Sequence, residues 1–180
     1  HGEALHMKDV PWVSKQMWAP DVAFKNDTYY LYFPARDKDG IFRLGVATSD
    51  KPEGPFTPEP NYIEGSFSID PAVFVDDDNR AFVYYGGLWG GQLEKWQSGS
   101  FNDHEEGPVG NEPAIGPMCA ELTEDMKAFK NEPKHLVILD ENGNPITAGD
   151  EDRRYFEGPW MHKYNGLYYL SYSTGTTHYI

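Results

Sequence analysis

The sequence predicts an all-β protein of the propeller type. Aromatic residues make up 15% of the 180 residues, and 18 glycines and 14 prolines supply many turns. Aromatic residues favour strands, and frequent turns favour short antiparallel ones. A unit in which an acidic residue precedes a hairpin of two aromatic-rich strands occurs three times. These units begin at Asp21, Asp70 and Glu157.

The first unit is the most regular of the three. Asp21 opens a strand, residues 26–27 form a turn, and residues 29–33 form the second strand. Residues 41–48 are predicted as a third strand, and the turn at residues 49–56 leads to a fourth. Four short strands in this length are typical of one propeller blade.

The second unit begins about 50 positions after the first, a spacing typical of a blade repeat. Its hairpin turns at residues 77–79. We expect a third strand at residues 92–96, an inserted loop at residues 97–118 and a closing strand at residues 119–122. Thr123 is a candidate N-cap for one helical turn, and residues 136–139 are predicted as a short strand or extended segment.

The third unit is the hairpin that follows Glu157. Asn165-Gly166 is the turn between its two strands, and period-two aromatic residues follow. Residues 1–5 resemble the tail of an earlier unit, and residues 179–180 end inside a later one. We therefore expect residues 1–180 to form one partial propeller domain, truncated at both ends, with about three blades covered.

Charge and composition exclude several classes of partner. The net charge of −14 makes nucleic acid an unfavourable partner, whereas a neutral sugar is not repelled. No apolar run is long enough to cross a membrane, so no membrane partner is expected. Cys119 is the single cysteine and is predicted to be a buried or half-buried thiol without a disulfide.

Three short motifs, in order, carry a resemblance to a known family. They are Trp18-Ala19-Pro20-Asp21, Ser68-Ile69-Asp70-Pro71 and Phe156-Glu157-Gly158-Pro159. The combination resembles glycoside hydrolase family 43, which are five-bladed propeller enzymes that act on plant polysaccharides containing xylose or arabinose.

The resemblance implies a role for each matching residue. Glu157 matches the general acid, and Asp70 matches the aspartate that tunes the pKa of the acid and orients it. Asp21 matches an acid on the pocket floor, and Trp18 an aromatic residue of the pocket wall. The general base would lie in an earlier blade. Asp9 is the one aspartate before Trp18, and its context does not match, so we expect the base upstream of residue 1.

The residue types suit inverting hydrolysis of a glycosidic bond. That reaction needs one protonated and one ionised carboxyl group on either side of the bond. The acid keeps its proton if apolar surroundings or a nearby negative charge raise its pKa. Glu157 has aromatic neighbours for the first effect, and Asp70 could supply the second, because the inner strands of successive blades start near one channel.

Other candidate residues remain open or carry a structural interpretation. Trp89 lies in the glycine-rich loop at residues 86–91 and is either a sugar-stacking platform or a loop anchor. Trp12, Trp96 and Trp160 are predicted to pack in the interior. His178 is interpreted as an ordinary structural or exposed histidine.

No metal site is predicted from these residues. Residues 76–79 lack the spaced acids of a calcium loop and are predicted as a solvated hairpin tip. No cofactor is required for the reaction. The resemblance implies that a calcium or sodium ion can occupy the channel of a full domain.

Two functions follow from these observations. The first is a secreted or periplasmic glycosidase, of the β-xylosidase or α-L-arabinofuranosidase type, with an oligosaccharide or polysaccharide substrate. The alternative is a non-catalytic propeller that binds carbohydrate. The general base separates them, and by this interpretation the truncated chain alone could be inactive.

Overall fold

The computed structural model describes residues 2–175 and contains three antiparallel sheets. His178 and residues 179–180 lie outside the described residues. In the first sheet the four strands are adjacent in chain order: β1 (Asp21–Lys25), β2 (Thr28–Arg36), β3 (Phe42–Ser49) and β4 (Thr57–Pro58). The second sheet repeats this order: β5 (Ala72–Val75), β6 (Ala81–Tyr85), β7 (Met118–Glu121) and β8 (Lys134–His135). The third consists of β9 (Glu157–Tyr164) and β10 (Leu167–Ser173).

This arrangement confirms the predicted all-β fold. The described residues form two complete blades and two strands of a third unit. Within residues 2–175, the helices are short 3-10 turns at Met7–Asp9, Trp89–Gly91 and Leu93–Trp96. None of the described helices is long and apolar enough to cross a membrane.

The hairpin turns form where the sequence predicts them. Asn26 and Asp27 have φ angles of 50° and 57°, and Asn165 and Gly166 have 49° and 76°. Two successive positive φ angles define the tight turn that matches the twist of the flanking strands. The resulting register pairs Asp21 with Tyr32 at the open end of the first hairpin.

The core lies between the blades, so it fixes how their inner strands meet. One cluster joins Tyr32 and Val46 of the first blade to Val83 of the second and to Tyr155 just before the third. A second cluster covers the other face of the first blade, where Trp12 stacks on Phe33. The predicted packing role of Trp12 is confirmed.

Residues 92–96 are not a strand, which corrects the sequence interpretation. Gln92 has a left-handed φ of 67°, and Leu93–Trp96 forms a 3-10 helix that turns Glu94 into the interior. Leu93 donates its backbone N–H to the carbonyl of Gly87, which folds the segment back on the preceding loop. Trp96 packs as predicted, stacked on Phe67.

Two further predictions change in the second blade, and a third, for residues 136–139, agrees with its extended alternative. The segment predicted as the closing strand, residues 119–122, falls largely in β7, which is the third strand, and β8 closes the sheet. Thr123 caps no helix; its hydroxyl accepts the Ala128 N–H within a turn. Residues 136–139 are extended, with one isolated bridge from Leu139 to Pro145.

Candidate active site

The segment that carries Asp70 enters the second blade in a strained conformation. Ser68 and Asp70 have φ angles of 65° and 53°, a region that non-glycine residues rarely occupy. The Ser68 hydroxyl accepts the Gly87 N–H at 3.0 Å and donates to the Gly91 carbonyl at 2.8 Å. Gly86 also donates to the Ile69 carbonyl at 2.7 Å. These bonds hold the strained segment in place.

Two glycines allow this close approach of backbone to side chain. A Cβ on Gly87 would lie 2.7 Å from Ile69, and one on Gly91 would lie 2.5 Å from the same side chain. Neither distance is tolerable for a real Cβ atom. The glycine-rich loop therefore packs tightly on the segment that presents Asp70.

Glu157 is the first residue of β9, beside the same loop. The backbone of Phe156 accepts from the Leu88 N–H at 3.0 Å and donates to the Ser173 carbonyl at 2.9 Å. The buried Tyr155 hydroxyl donates to the Gly86 carbonyl. Glu157 is thus anchored through two preceding residues that contact the neighbouring blade.

Asp70 and Glu157 are brought close enough for the charge of Glu157 to affect Asp70. The Asp70 carboxylate accepts the backbone N–H of Gly158, the residue after Glu157. Burial, followed by the negative charge of Glu157, raises the pKa of Asp70 to about 6. Burial also raises the pKa of Glu157. Both carboxyl groups therefore keep their protons to a higher pH than they would in water.

This result shifts the electrostatic role predicted for Asp70. The sequence interpretation has the charge of Asp70 raise the pKa of Glu157, whereas burial is the cause for Glu157. The charge of the neighbouring carboxyl group adds to burial at Asp70, whereas burial accounts for the raised pKa of Glu157.

Asp21 lies at the same end of its inner strand but bridges two blades. Its Oδ2 accepts the backbone N–H of Val73 in β5 at 2.7 Å. Burial raises the pKa of Asp21, and this hydrogen bond partly opposes the effect. Asp21 is therefore not a solvated turn residue, and all three predicted acids lie at the entrance of an inner strand.

An open cleft of about 350 Å³ borders Glu157. Trp18 and Trp89, 39% and 40% exposed, form its aromatic walls. Trp18 is supported by Phe42 at 4.7 Å between ring centroids, and Trp89 by Phe156 at 5.6 Å. Asp21 and Asp70 are not among the residues lining this cleft. The cleft combines a carboxyl group with two aromatic side chains, which suits a sugar ring.

Of the remaining sequence predictions, the hairpin tip at residues 76–79 is found and the interior position of Trp160 is not. Residues 76–79 form a hairpin tip, but Asp76 is paired with Lys163 at 2.8 Å. Trp160 does not pack in the interior; it is 52% exposed on β9, where no described element covers it. In residues 2–175, no group of three or more acidic, histidine or cysteine side chains could hold a metal ion.

Sequence reasoning missed several residues that support the site. Ser68, Tyr155, Glu94 and Arg154 are buried and contact the glycine-rich loop or its tryptophan. The paired glycines at 86–87 and 90–91 were the available signal, because such pairs mark close backbone approach.

Blade-like antiparallel sheets, with a carboxyl group in a cleft lined by tryptophans, are typical of the class of carbohydrate-active propeller proteins. The model of glycosyl hydrolases family 43 matches residues 1–180, and the chain belongs to that family. The resemblance inferred from the three motifs is confirmed.

Characterised relatives agree with this assignment. The chain is 61% identical to xylosidase/arabinosidase 43A of Humicola insolens over 100% of the chain and 57% of the relative. It is 54% identical to a xylosidase/arabinosidase of Bacteroides ovatus over 99% of the chain and 55% of the relative. The chain therefore spans about half the length of these relatives.

Solved structures show the same fold. A family 43 enzyme from Xanthomonas citri complexed with xylose has a TM-score of 0.95 at 52% identity, covering 98% of this chain and 54% of that one. A β-xylosidase/α-arabinofuranosidase from a compost microbial metagenome, in complex with xylotriose and in a calcium-free form, has a TM-score of 0.93 at 57% identity. That match covers 98% of this chain and 55% of the other.

Proposed function

We propose that the full-length protein is a glycosidase of the β-xylosidase or α-L-arabinofuranosidase type that releases sugar from xylose- or arabinose-containing chains by inversion. The observation that carries the proposal is the position of Glu157, a carboxyl group with a raised pKa in the cleft with aromatic walls. Relatives named as xylosidase/arabinosidase, and a similar enzyme complexed with xylotriose, support the substrate class.

In this proposal Glu157 is the general acid that protonates the departing alcohol. A carboxyl group whose pKa is raised by burial keeps its proton closer to neutral pH, where the leaving group needs it. Asp70 orients this end of β9 through its bond to the Gly158 N–H, and the charge of Glu157 makes Asp70 harder to ionise. Trp18 and Trp89 present flat apolar faces to the sugar, and Asp21 fixes the first two inner strands.

The general base is assigned to a segment outside residues 1–180. Inversion requires room for a water molecule between the two carboxyl groups, on opposite faces of the sugar. Asp70 does not line the cleft, so it does not meet this requirement. Asp9 is exposed in a 3-10 helix. We therefore propose that the described residues form part of one propeller domain that other segments complete.

A calcium ion is proposed only for the full propeller domain and not for the described residues alone. The similar enzyme from a compost microbial metagenome is in a calcium-free form. Within residues 2–175, no three or more acidic, histidine or cysteine side chains are grouped in a way that could hold a metal ion. No step of the proposed reaction uses a metal ion.

An extracellular or periplasmic location is proposed on chemical grounds, because polymeric plant polysaccharide lies outside the cells that degrade it. Fractionation of producing cells that finds the full-length protein in the cytoplasm would contradict this location.

The proposed acid is tested by leaving-group chemistry. In the full-length protein, Glu157→Ala should lower the hydrolysis rate of xylobiose or an arabino-oligosaccharide by about 10²- to 10⁴-fold. Aryl glycosides with an acidic phenol need little protonation, so their hydrolysis should fall far less. The exposed neighbour Glu151→Ala is the matched control and should leave both rates unchanged.

The two outcomes of this test separate the alternatives. Equal losses on both substrates, with a lower Tm, would assign Glu157 a structural role. If the unmodified full-length protein hydrolyses neither substrate but binds the oligosaccharide, the non-catalytic carbohydrate-binding propeller is the correct function.

A further inference from the structure

Trp89 separates two spaces of different character. One is the cleft that contains Glu157 and Trp18. The other is a small cavity that Trp89 also lines, whose charged lining residues are Glu94, Glu106 and Arg154. That cavity has a volume of about 20 Å³, enough for about one water molecule and too small for a ligand. Glu94 and Arg154 therefore support the indole instead of binding a ligand of their own.

The backbone of Trp89 is strained and held by a buried acid. Its φ angle is 55°, which is unusual for a bulky residue. Its N–H donates to Glu94 Oε2 at 2.6 Å, and Glu94 is only 1% exposed. A strained conformation persists only when the surrounding contacts determine it, and such strain concentrates at functional sites.

Arg154 supports the same indole from the side chain. Its guanidinium carbon lies 4.9 Å from the centre of the Trp89 ring. The residue is 6% exposed, and its Nε has no hydrogen-bond partner among the described residues. No carboxylate in residues 2–175 forms an ion pair with it. A buried cation without an ion pair is costly, and its contact with the π face of Trp89 offsets part of that cost.

We propose that Arg154 is a positioning residue that acts through Trp89, holding the indole as the fixed aromatic wall of the cleft and thereby setting affinity for a neutral sugar chain. The inference rests on the proposed function, because it assumes that the cleft binds sugar. A planar indole offers its electron-rich face to the C–H groups of a sugar ring, and this contact is strong only when the ring is already oriented.

The test compares four variants of the full-length protein on xylotriose. Arg154→Met removes the charge and keeps the chain length, and should raise KM by roughly 2- to 30-fold, the range of one cation–π contact. The kcat value should stay within about twofold. Arg153→Met is the matched control, because Arg153 is exposed and pairs with Asp150, and its KM should not change. Trp89→Ala should raise KM, and adding Arg154→Met to it should have little further effect.

Several outcomes would overturn the proposal. A loss of kcat at constant KM would show that Arg154 helps to orient Glu157 and does not act through Trp89. If the two substitutions raise KM in the double variant by the product of their separate effects, Arg154 acts independently of Trp89. If Arg154→Met does not fold, Arg154→Lys, which keeps the charge without the planar group, is measured in its place, and a KM equal to that of the unmodified protein would overturn the proposal.

Binding measurements keep this proposal separate from the enzymatic one. If the full-length protein shows no hydrolysis, the proposed glycosidase activity fails. Calorimetric titration of xylotriose into the same variants still tests the role of Arg154. A weaker affinity for Arg154→Met and not for Arg153→Met supports it, and equal affinities overturn it.

Discussion

At the scale of single residues, the site depends on two carboxyl groups that burial makes weaker acids. Asp70 is held by a left-handed backbone and by the Gly158 N–H, so it cannot turn toward solvent to escape the charge of Glu157. The sequence predicted both residues, because each precedes a recognisable hairpin. It could not predict which of the two is more strongly affected, since that depends on how deeply tertiary packing buries each side chain.

The raised pKa of Asp70 has a consequence for stability. The pKa of Asp70 rises from 3.8 to about 6 on folding, so its ionised form is disfavoured in the folded state. Its contribution to stability is therefore fully present below about pH 4 and is lost as the pH rises through about 6. Asp70→Asn in the full-length protein carries no charge and keeps an oxygen for the Gly158 N–H. Its Tm relative to the unmodified protein should increase between pH 4 and pH 7.

Thermal unfolding at several pH values measures this difference. A Tm difference between the two proteins that is constant from pH 4 to pH 7 would show that Asp70 does not titrate in that range. A difference that falls with rising pH would mean that Asp70 is stabilised in its ionised form.

At the scale of elements, the loop between β6 and β7 positions the site. Gly87→Ala in the full-length protein should place a Cβ 2.7 Å from Ile69, which is 3% exposed and cannot move freely. Overpacking of this kind costs about 1–3 kcal/mol of stability. Activity should also fall, because Ile69 directly precedes Asp70. Urea unfolding and the rate on an aryl xyloside measure the two effects.

Gly90→Ala is the control for stability, since nothing lies within 4 Å of its added Cβ. We expect its unfolding free energy to stay close to that of the unmodified protein. Equal losses of unfolding free energy for Gly87→Ala and Gly90→Ala would indicate a general effect of glycine replacement in this loop. The close approach to Ile69 would then not be the cause.

The elements also show where sequence reasoning succeeds. Hairpins are local, and their turn residues with positive φ can be recognised from Asn-Asp or Asn-Gly alone. The 3-10 helix Leu93–Trp96 was predicted as a strand, because its apolar residues fit either form. Its burial of Glu94 and its stacking of Trp96 on Phe67 are tertiary contacts that no local pattern encodes.

At the scale of the whole molecule, the inner strands are joined at both ends. At the end with the acids, Asp21 binds the backbone of β5. At the other end Lys163 of β9 contacts Asp76 at 2.8 Å and Asp77 at 2.9 Å, and the Tyr168 hydroxyl donates to Asp76. The second link fixes the third unit against the second, and so helps to hold Glu157 beside Asp70.

The contribution of this second link can be isolated. Lys163→Met in the full-length protein should lower the Tm by about 2 °C, a small effect because the pair is partly exposed. Asp76→Asn should have a similar effect, and the double variant should lose less than the sum of the two single effects, because both substitutions remove the same contact. Lys134→Met is the control, since Lys134 is exposed and forms no ion pair in residues 2–175.

The pH dependence of the same variant gives an independent check. The hydrogen bond from Lys163 is the main cause that lowers the pKa of Asp76 from 3.8 to about 2. The link therefore stabilises the protein fully above about pH 4 and loses its contribution as the pH falls toward 2. The Tm difference between the unmodified protein and Lys163→Met should thus be smaller at pH 3 than at pH 7. Additive effects of the two substitutions, or a Tm difference that grows as the pH falls, would show that the blades are not held together by this pair.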